Sequence, residues 1–250
     1  MAGTLHMKKI IILLFCFLAQ SCTTVGSNYR PESYYQPQGS ISPSTDSMLS
    51  GADGLEDEKI NALLYDRIKF PKLIRIAVLK MSTDDYWRYY SNEFTELNDS
   101  IARHFINKLR SSPRVYDASF LPSMLIPAER NIAVLREAAA RFQADALLAY
   151  RSSCDSYQKY QFISPDETKS YCTVEAMLLD VRKGVIAKSV VSTQTFTAKK
   201  AADDTNFSET IKKTELEALS GALGEVSNEI VEFLKQVPVR TTAAFKARRK

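Results

Sequence analysis

The sequence predicts an α+β domain: a small mixed sheet containing an antiparallel three-strand meander, with two helices before the meander and one long C-terminal helix. Two long strand-like runs, 146–160 and 171–181, and a third at 185–197 supply the meander. Apolar residues at three- and four-residue spacing supply the helices, most clearly between Leu216 and Val237.

The elements follow in order. Leu73-Ile74-Arg75-Ile76-Ala77-Val78-Leu79 is a short, β-branched apolar run after Pro71 and reads as a buried strand. Leu97 to Leu109 reads as a helix, because Ile101, Phe105 and Leu109 share one face. Asn98 or Asp99 is placed to cap it, and Pro113 ends it. Val115-Tyr116 opens a short strand. Ile132 to Phe142 is a second helix with Ile132, Leu135, Ala139 and Phe142 on one face and Asn131 as its N-cap.

The meander begins at Ala146. Ser164-Pro165-Asp166-Glu167 has turn chemistry between its first two strands, and Lys183-Gly184 makes a tight turn into the third. Lys199 to Phe207 is a polar loop, and Ser208 is placed to cap the last helix. Leu216, Leu219, Leu223, Val226, Ile230, Phe233 and Val237 form its heptad stripe. Two readings stand: a helix packed on the sheet, or a coiled-coil face for self-association. Pro238 stops the helix. Residues 239–250 form a basic tail with Lys246, Arg248, Arg249 and Lys250, either solvated or touching anionic lipid or cell-wall polymer.

The domain, 58–238, follows two segments of different character. Residues 1–21 read as an export signal. Met7-Lys8-Lys9 is its positive start, and Met1 to His6 an upstream extension. The apolar run Ile10 to Leu18 is about nine residues, whereas a spanning helix needs about 20. Leu18-Ala19-Gln20-Ser21-Cys22 resembles the lipobox of bacterial lipoproteins, with Ala19 where the usual pattern has leucine. That resemblance implies a mature chain beginning at Cys22, with a diacylglycerol on its thiol and a third acyl chain on its amino group. Each buried CH₂ is worth about 0.8 kcal/mol, so several chains give lasting attachment to a lipid bilayer. Thr23, where an aspartate commonly retains such proteins in the inner membrane, implies the periplasmic face of the outer membrane. Residues 22–57 are rich in Ser, Gly, Pro, Gln and Tyr and read as a flexible tether reaching roughly 30–35 Å.

The charge balance does not suggest a nucleic-acid partner. The chain carries 33 Lys and Arg against 29 Asp and Glu; Lys8 and Lys9 leave with the signal, so the mature chain has 31 against 29. Catalytic chemistry finds little support either. His104 is the single histidine beyond the signal, in mid-helix, and no nucleophile elbow, GxGxxG, P-loop, HExxH or CxxC occurs. Asp84-Asp85 and Asp203-Asp204 read as solvated surface. No enzyme activity, metal or cofactor is expected.

Cys154 and Cys172 fall on the first two meander strands, and an exported chain can oxidise them. A tight turn centred on Pro165–Asp166 would place Cys154 opposite a residue well beyond Cys172. A wider or shifted loop would bring the two thiols together as a disulfide. A metal site is not expected from two thiols with no histidine beside them.

Asp84-Asp85-Tyr86-Trp87-Arg88-Tyr89-Tyr90 follows the first strand and holds the single tryptophan. Aromatics with arginine are the residue types that anchor interfaces, so Tyr86, Trp87, Arg88, Tyr89 and Tyr90 are candidate partner contacts; covering the core edge is the plainer role. Tyr157, Tyr160 and Phe162 form a second aromatic set near the hairpin tip.

A lipobox, a polar tether, a strand at Ile74–Lys80, a helix ending in Phe142-Gln143-Ala144-Asp145-Ala146-Leu147-Leu148, a meander and a final helix together resemble the CsgG/LpoB/TolB-N-terminal-domain superfamily of envelope lipoproteins. More narrowly, Leu135 to about Gln236, with its Asp180-Val181-Arg182-Lys183-Gly184 hairpin, resembles the rhombotail lipoproteins. The resemblance implies the fold and an envelope location, with no catalytic residues. Its expected role is a non-catalytic binding or scaffold module with an envelope protein as partner, and the likeness to LpoB implies one accessory to cell-wall synthesis. The alternative is a subunit of a CsgG-like secretion pore.

Overall fold

The computed structural model describes residues 25–27, 56–65, 67–81, 92–127 and 131–240. Its elements are β1 (Val25–Ser27), α1 (Asp57–Tyr65), β2 (Ile74–Lys80), α2 (Asn92–Arg110), β3 (Val115–Phe120), α3 (Ile132–Arg141), β4 (Ala146–Lys159), β5 (Glu167–Asp180), β6 (Val185–Lys199) and α4 (Phe207–Gln236). The sheet runs β3-β2-β4-β5-β6, and β1 adds to β4. β3, β2 and β4 are mutually parallel where they pair; β4, β5 and β6 form the expected antiparallel meander. The α+β class and the long final helix stand as predicted.

Side-chain alternation along the strands divides the core in two. Ile76, Val78, Ala146, Leu148, Val174, Ala176 and Leu178 point to one face, where α2 and α4 cover them with Phe105, Leu109, Leu223, Val226 and Ile230. Ala77, Leu79, Leu147, Ala149 and Leu179 point to the other, under Leu135, Ala138 and Ala139 of α3. The heptad stripe of α4 is spent on the first face. Leu216, Leu223, Val226, Ile230 and Val237 are buried there, with Leu219 and Phe233 packed partly against them. Each fully buried aliphatic side chain is worth about 1.5–3 kcal/mol, so the packed-helix reading of the stripe is the one the structure takes.

Several boundaries differ from expectation. The helix expected at Leu97 starts at Asn92, so Asn98 and Asp99 lie inside α2 and cap nothing. Asn131 does cap α3, accepting from the Val134 N–H at 2.9 Å. The cap of α4 is Asn206 rather than Ser208, its side chain accepting from the Glu209 N–H at 3.0 Å. Two carboxyamide or hydroxyl residues two positions apart offer the same signal in sequence, and the tertiary placement of the preceding loop selects between them. α1 begins where the domain was expected to begin and buries none of its residues against the described structure.

Three residues of the segment read as a tether, 22–57, are described as a strand. Val25–Ser27 pairs antiparallel with the end of β4, Val25 opposite Lys159 and Ser27 opposite Tyr157. β2 pairs with β4 no further than Tyr150, so the upper part of that β4 edge is left to another partner. A three-residue strand shows no period in sequence, and an open edge is what recruits it.

Candidate binding surface

Beyond the end of β2 the meander continues as a long three-stranded blade. On the face toward α4 the blade changes from apolar to polar. Cys154 and Cys172 are joined by a disulfide there. Above them the Ser156 and Ser170 hydroxyls lie 2.8 Å apart, and the Ser156 hydroxyl donates to Glu215 Oε1 at 2.8 Å. Lys212 reaches the other Glu215 oxygen at 3.0 Å. Ser156 and Ser170 are buried, so this network satisfies groups that would otherwise cost about 1–3 kcal/mol each. It also holds the N-terminal half of α4 down on the blade.

The opposite face of the blade is covered by none of the described residues. Arg151, Ser153, Asp155 and Tyr157 of β4, Thr173, Tyr171 and Lys169 of β5, and Val191, Thr193, Thr195 and Thr197 of β6 all stand on it, half-exposed or exposed. Cross-strand contacts hold its side chains in order. Arg151 donates to Glu175 at 2.6 Å, and the Thr173 and Thr193 hydroxyls lie 2.8 Å apart. Tyr157 and Tyr171 meet edge to face with centroids 5.6 Å apart, and the Lys169 ammonium lies 4.9 Å from the Tyr171 ring centroid. Burial pushes the Asp155 carboxyl above its ordinary value, and the negative charge of Glu215 adds to the effect. The chemistry on offer is recognition: hydroxyls that donate and accept, two rigid aromatic rings, and one acid held nearer to its neutral form.

The residues singled out in the sequence fall in different places. Cys22 and Tyr86–Tyr90 lie outside the described residues, as do Asp84 and Asp85 and the tail from 241 to 250. Met81, the last described residue before that segment, donates its N–H to Tyr150 O at 2.7 Å. Cys154 and Cys172 are direct cross-strand partners. The turn that unites them is a seven-residue loop, 160–166, rather than a tight turn on Pro165–Asp166. His104 is exposed on α2. Asp203 is exposed, but Asp204 is buried and accepts from Thr210 at 2.5 Å, Lys213 at 3.0 Å and the Ala201 N–H at 3.1 Å, a correction to the solvated reading of that pair. The threonine face was not foreseen. Its signal is the alternation Thr193-Gln194-Thr195-Phe196-Thr197, a strand with a hydroxyl on every second residue.

No protein-family model matches the chain, and no curated protein matches it. Solved structures give distant likenesses. A hypothetical protein from Chlamydia trachomatis is 12% identical, with 65% of this chain and 98% of that one covered, at a TM-score of 0.39. A minor lipoprotein from Acinetobacter baumannii is 8% identical, with 70% and 99% covered, at 0.31. A lipoprotein from Neisseria meningitidis is 14% identical, with 65% and 98% covered, at 0.26. At such identities and TM-scores these likenesses carry no argument about family or function.

Proposed function

We propose that the chain is a lipoprotein of the bacterial envelope, held to a membrane by acyl chains on Cys22 and acting as a non-catalytic binding or scaffold module. The anchor rests on the export signal and the Leu18-Ala19-Gln20-Ser21-Cys22 sequence. No helix among the described residues is long and apolar enough to cross a membrane. Thr23 supports the periplasmic face of the outer membrane. The observation that carries the binding role is the blade face of hydroxyls and paired tyrosines, fixed from behind by a disulfide and a buried polar network. Rigid aromatic rings with adaptable hydroxyls around them bind at low conformational cost. Tyr86, Trp87, Arg88, Tyr89 and Tyr90, aromatics and an arginine in one short segment, are a second set of candidate contacts for an envelope protein. A role accessory to cell-wall synthesis fits the superfamily resemblance.

The secretion-pore alternative asks the blade to face lipid. Arg151, Asp155, Lys169 and Glu175 stand on its open rows, and a charged residue at mid-bilayer depth costs about 2–4 kcal/mol for Arg or Lys.

Photo-crosslinking in the native envelope tests the proposal. A crosslinker at Tyr171 or at Trp87 is expected to trap discrete protein adducts, and a crosslinker at Arg182, in the turn at the core end of the meander, none. Absence of adducts from both sites would overturn the binding role.

A further inference from the structure

We infer that the β4–β5 hairpin tip is a membrane-contact site, so that the domain stands on the lipid surface by Phe162 and Ile163 instead of hanging from a tether. The inference rests on the reading of Cys22 as the lipid anchor. Its structural basis is a coincidence of two features at one end of the blade.

The first feature is the exposed apolar tip. Phe162 is 93% and Ile163 89% exposed, in the loop that joins β4 to β5. Loop tips that project into water are normally polar, and two adjacent large apolar side chains held out there have no use for the core. Tyr160, 43% exposed, braces the loop from below by an edge-to-face contact with Phe207, centroids 5.5 Å apart. Asp166, the acid of the loop, turns inward and accepts from the Gln161 N–H at 2.9 Å.

The second feature is the direction of β1. It runs antiparallel to β4, from Val25 opposite Lys159 down to Ser27 opposite Tyr157. β1 therefore begins at the tip end of the blade. Cys22 is three residues upstream, which at full extension is roughly 10 Å. The loop with Phe162 and Ile163 starts at the same Lys159 row. An acylated Cys22 thus brings the bilayer surface to the tip, whatever conformation the intervening residues take. Exposed lysines at that row, Lys159 and Lys199, flank Glu167 in register and have stems long enough to lay along the interface with their charges in water. The opposite end of the meander, at Arg182–Gly184, is about 45 Å away along 14-residue strands. The blade then projects from the membrane, with the hydroxyl face turned sideways to a partner.

A lipid bilayer is the occupant this geometry selects. A second copy of the chain could also cover Phe162 and Ile163, and the experiment separates the two. The lipidated mature chain is placed in vesicles of phosphatidylethanolamine and phosphatidylglycerol with brominated acyl chains. Phe162→Trp and, as a remote control, Ile186→Trp are each made in a Trp87→Phe background, and the mass of the N-terminal peptide reports acylation of Cys22. The indole of F162W is expected to be quenched by bromolipid, blue-shifted and shielded from acrylamide. The indole of I186W is expected to stay open to acrylamide and unaffected by bromolipid. An acylated Cys22 with the F162W indole still open to water would overturn the membrane contact and leave the anchor standing. An unacylated N-terminus would overturn the anchor and the contact together. Shielding of the F162W indole in lipid-free Cys22→Ser chain, growing with protein concentration, would assign the tip to a second copy and overturn the inference.

Discussion

Cys154 and Cys172 face each other directly on β4 and β5, their Cα atoms 4.2 Å apart, and their disulfide ties the two strands where the blade leaves the apolar core. Below them, Val174, Ala176 and Leu178 are buried by apolar neighbours. Above them the inward residues are Ser156, Ser170 and Thr168, which add little hydrophobic stabilisation. The cross-link stands where packing gives out.

Removing it should therefore cost more locally than globally. A link closing 18 residues contributes about 3 kcal/mol through the restricted unfolded chain. The double substitution Cys154→Ser, Cys172→Ser is expected to lower unfolding stability in urea by about that amount. Hydrogen exchange should rise first at 155–171, above the link, while 146–150 stays protected. Equal acceleration along all of β4 would contradict this division of the blade.

Arg114 should be the most sensitive exposed-looking residue of the lower domain. Its guanidinium donates to four backbone carbonyls: Lys72 O at 3.0 Å, Pro71 O at 3.0 Å, Leu234 O at 3.0 Å and Val237 O at 3.1 Å. Two belong to the C-terminal end of α4, where orphan carbonyls and the helix dipole favour a cation. The other two belong to the segment that leads into β2. Arg114→Ala is expected to cost about 2–4 kcal/mol, since several acceptors lose a charged donor at once. Arg114→Lys should recover only a fraction, because an ammonium cannot span the fork. Thermal unfolding of the three proteins checks the order.

These examples also show what sequence can carry. The buried strand at Ile74, the two helices, the meander and the stripe on α4 were legible because each repeats a period over several turns or residues. The contacts of Arg114 were not, because its acceptors lie 42 to 123 positions away and are backbone atoms with no residue signature. β1 was missed for a related reason: Val25–Ser27 is a strand only because β4 offers an open edge. The disulfide partners were legible but their register was not, since Pro165 and Asp166 mark a turn without fixing that the loop starts at Tyr160. Of the candidate site, the aromatic tip showed in sequence as Tyr157, Tyr160 and Phe162. Its pairing with the chain just after Cys22 needed the topology.

Gln143 offers a stabilising substitution. It follows α3 with a φ of 59°, in the left-handed region, where side chains other than glycine are disfavoured. The backbone needs that turn: Gln143 N–H donates to Ala140 O at 2.9 Å and Ala144 N–H to Ala139 O at 3.0 Å, closing the helix. Glycine adopts this conformation freely, so Gln143→Gly is expected to raise stability by about 1 kcal/mol. Gln143→Val should lower it, because β-branching worsens the same clash. Urea midpoints with unchanged slopes would check both signs.

The pH dependence of stability should contain a contribution from Asp204. Burial alone would raise its carboxyl pKa, but hydrogen bonds from Thr210, Lys213 and the Ala201 N–H, with the Lys213 charge, outweigh burial and hold it below the ordinary value of 3.8. A depressed folded-state pKa means that the unfolded chain takes up the proton first as pH falls. The stabilisation is therefore fully present above the unfolded value, from about pH 5 upward, and drains away as pH drops through the folded value. Asp204→Asn keeps the shape and an acceptor for Thr210 but removes the charge that meets Lys213 at 3.0 Å. Breaking a buried, hydrogen-bonded charge pair of this kind should cost about 2–4 kcal/mol at neutral pH. The difference between parent and variant is expected to stay constant between pH 5 and pH 8, and to shrink below about pH 4 as the unfolded parent takes up the proton that the folded carboxylate still refuses. Glu209 still holds Lys213 at 2.8 Å in the variant, so α4 should remain capped and the fold intact. Chemical denaturation across that pH range measures the difference directly. A gap that persists undiminished at pH 3 would show that Asp204 acts through shape and hydrogen bonding, with its charge contributing nothing.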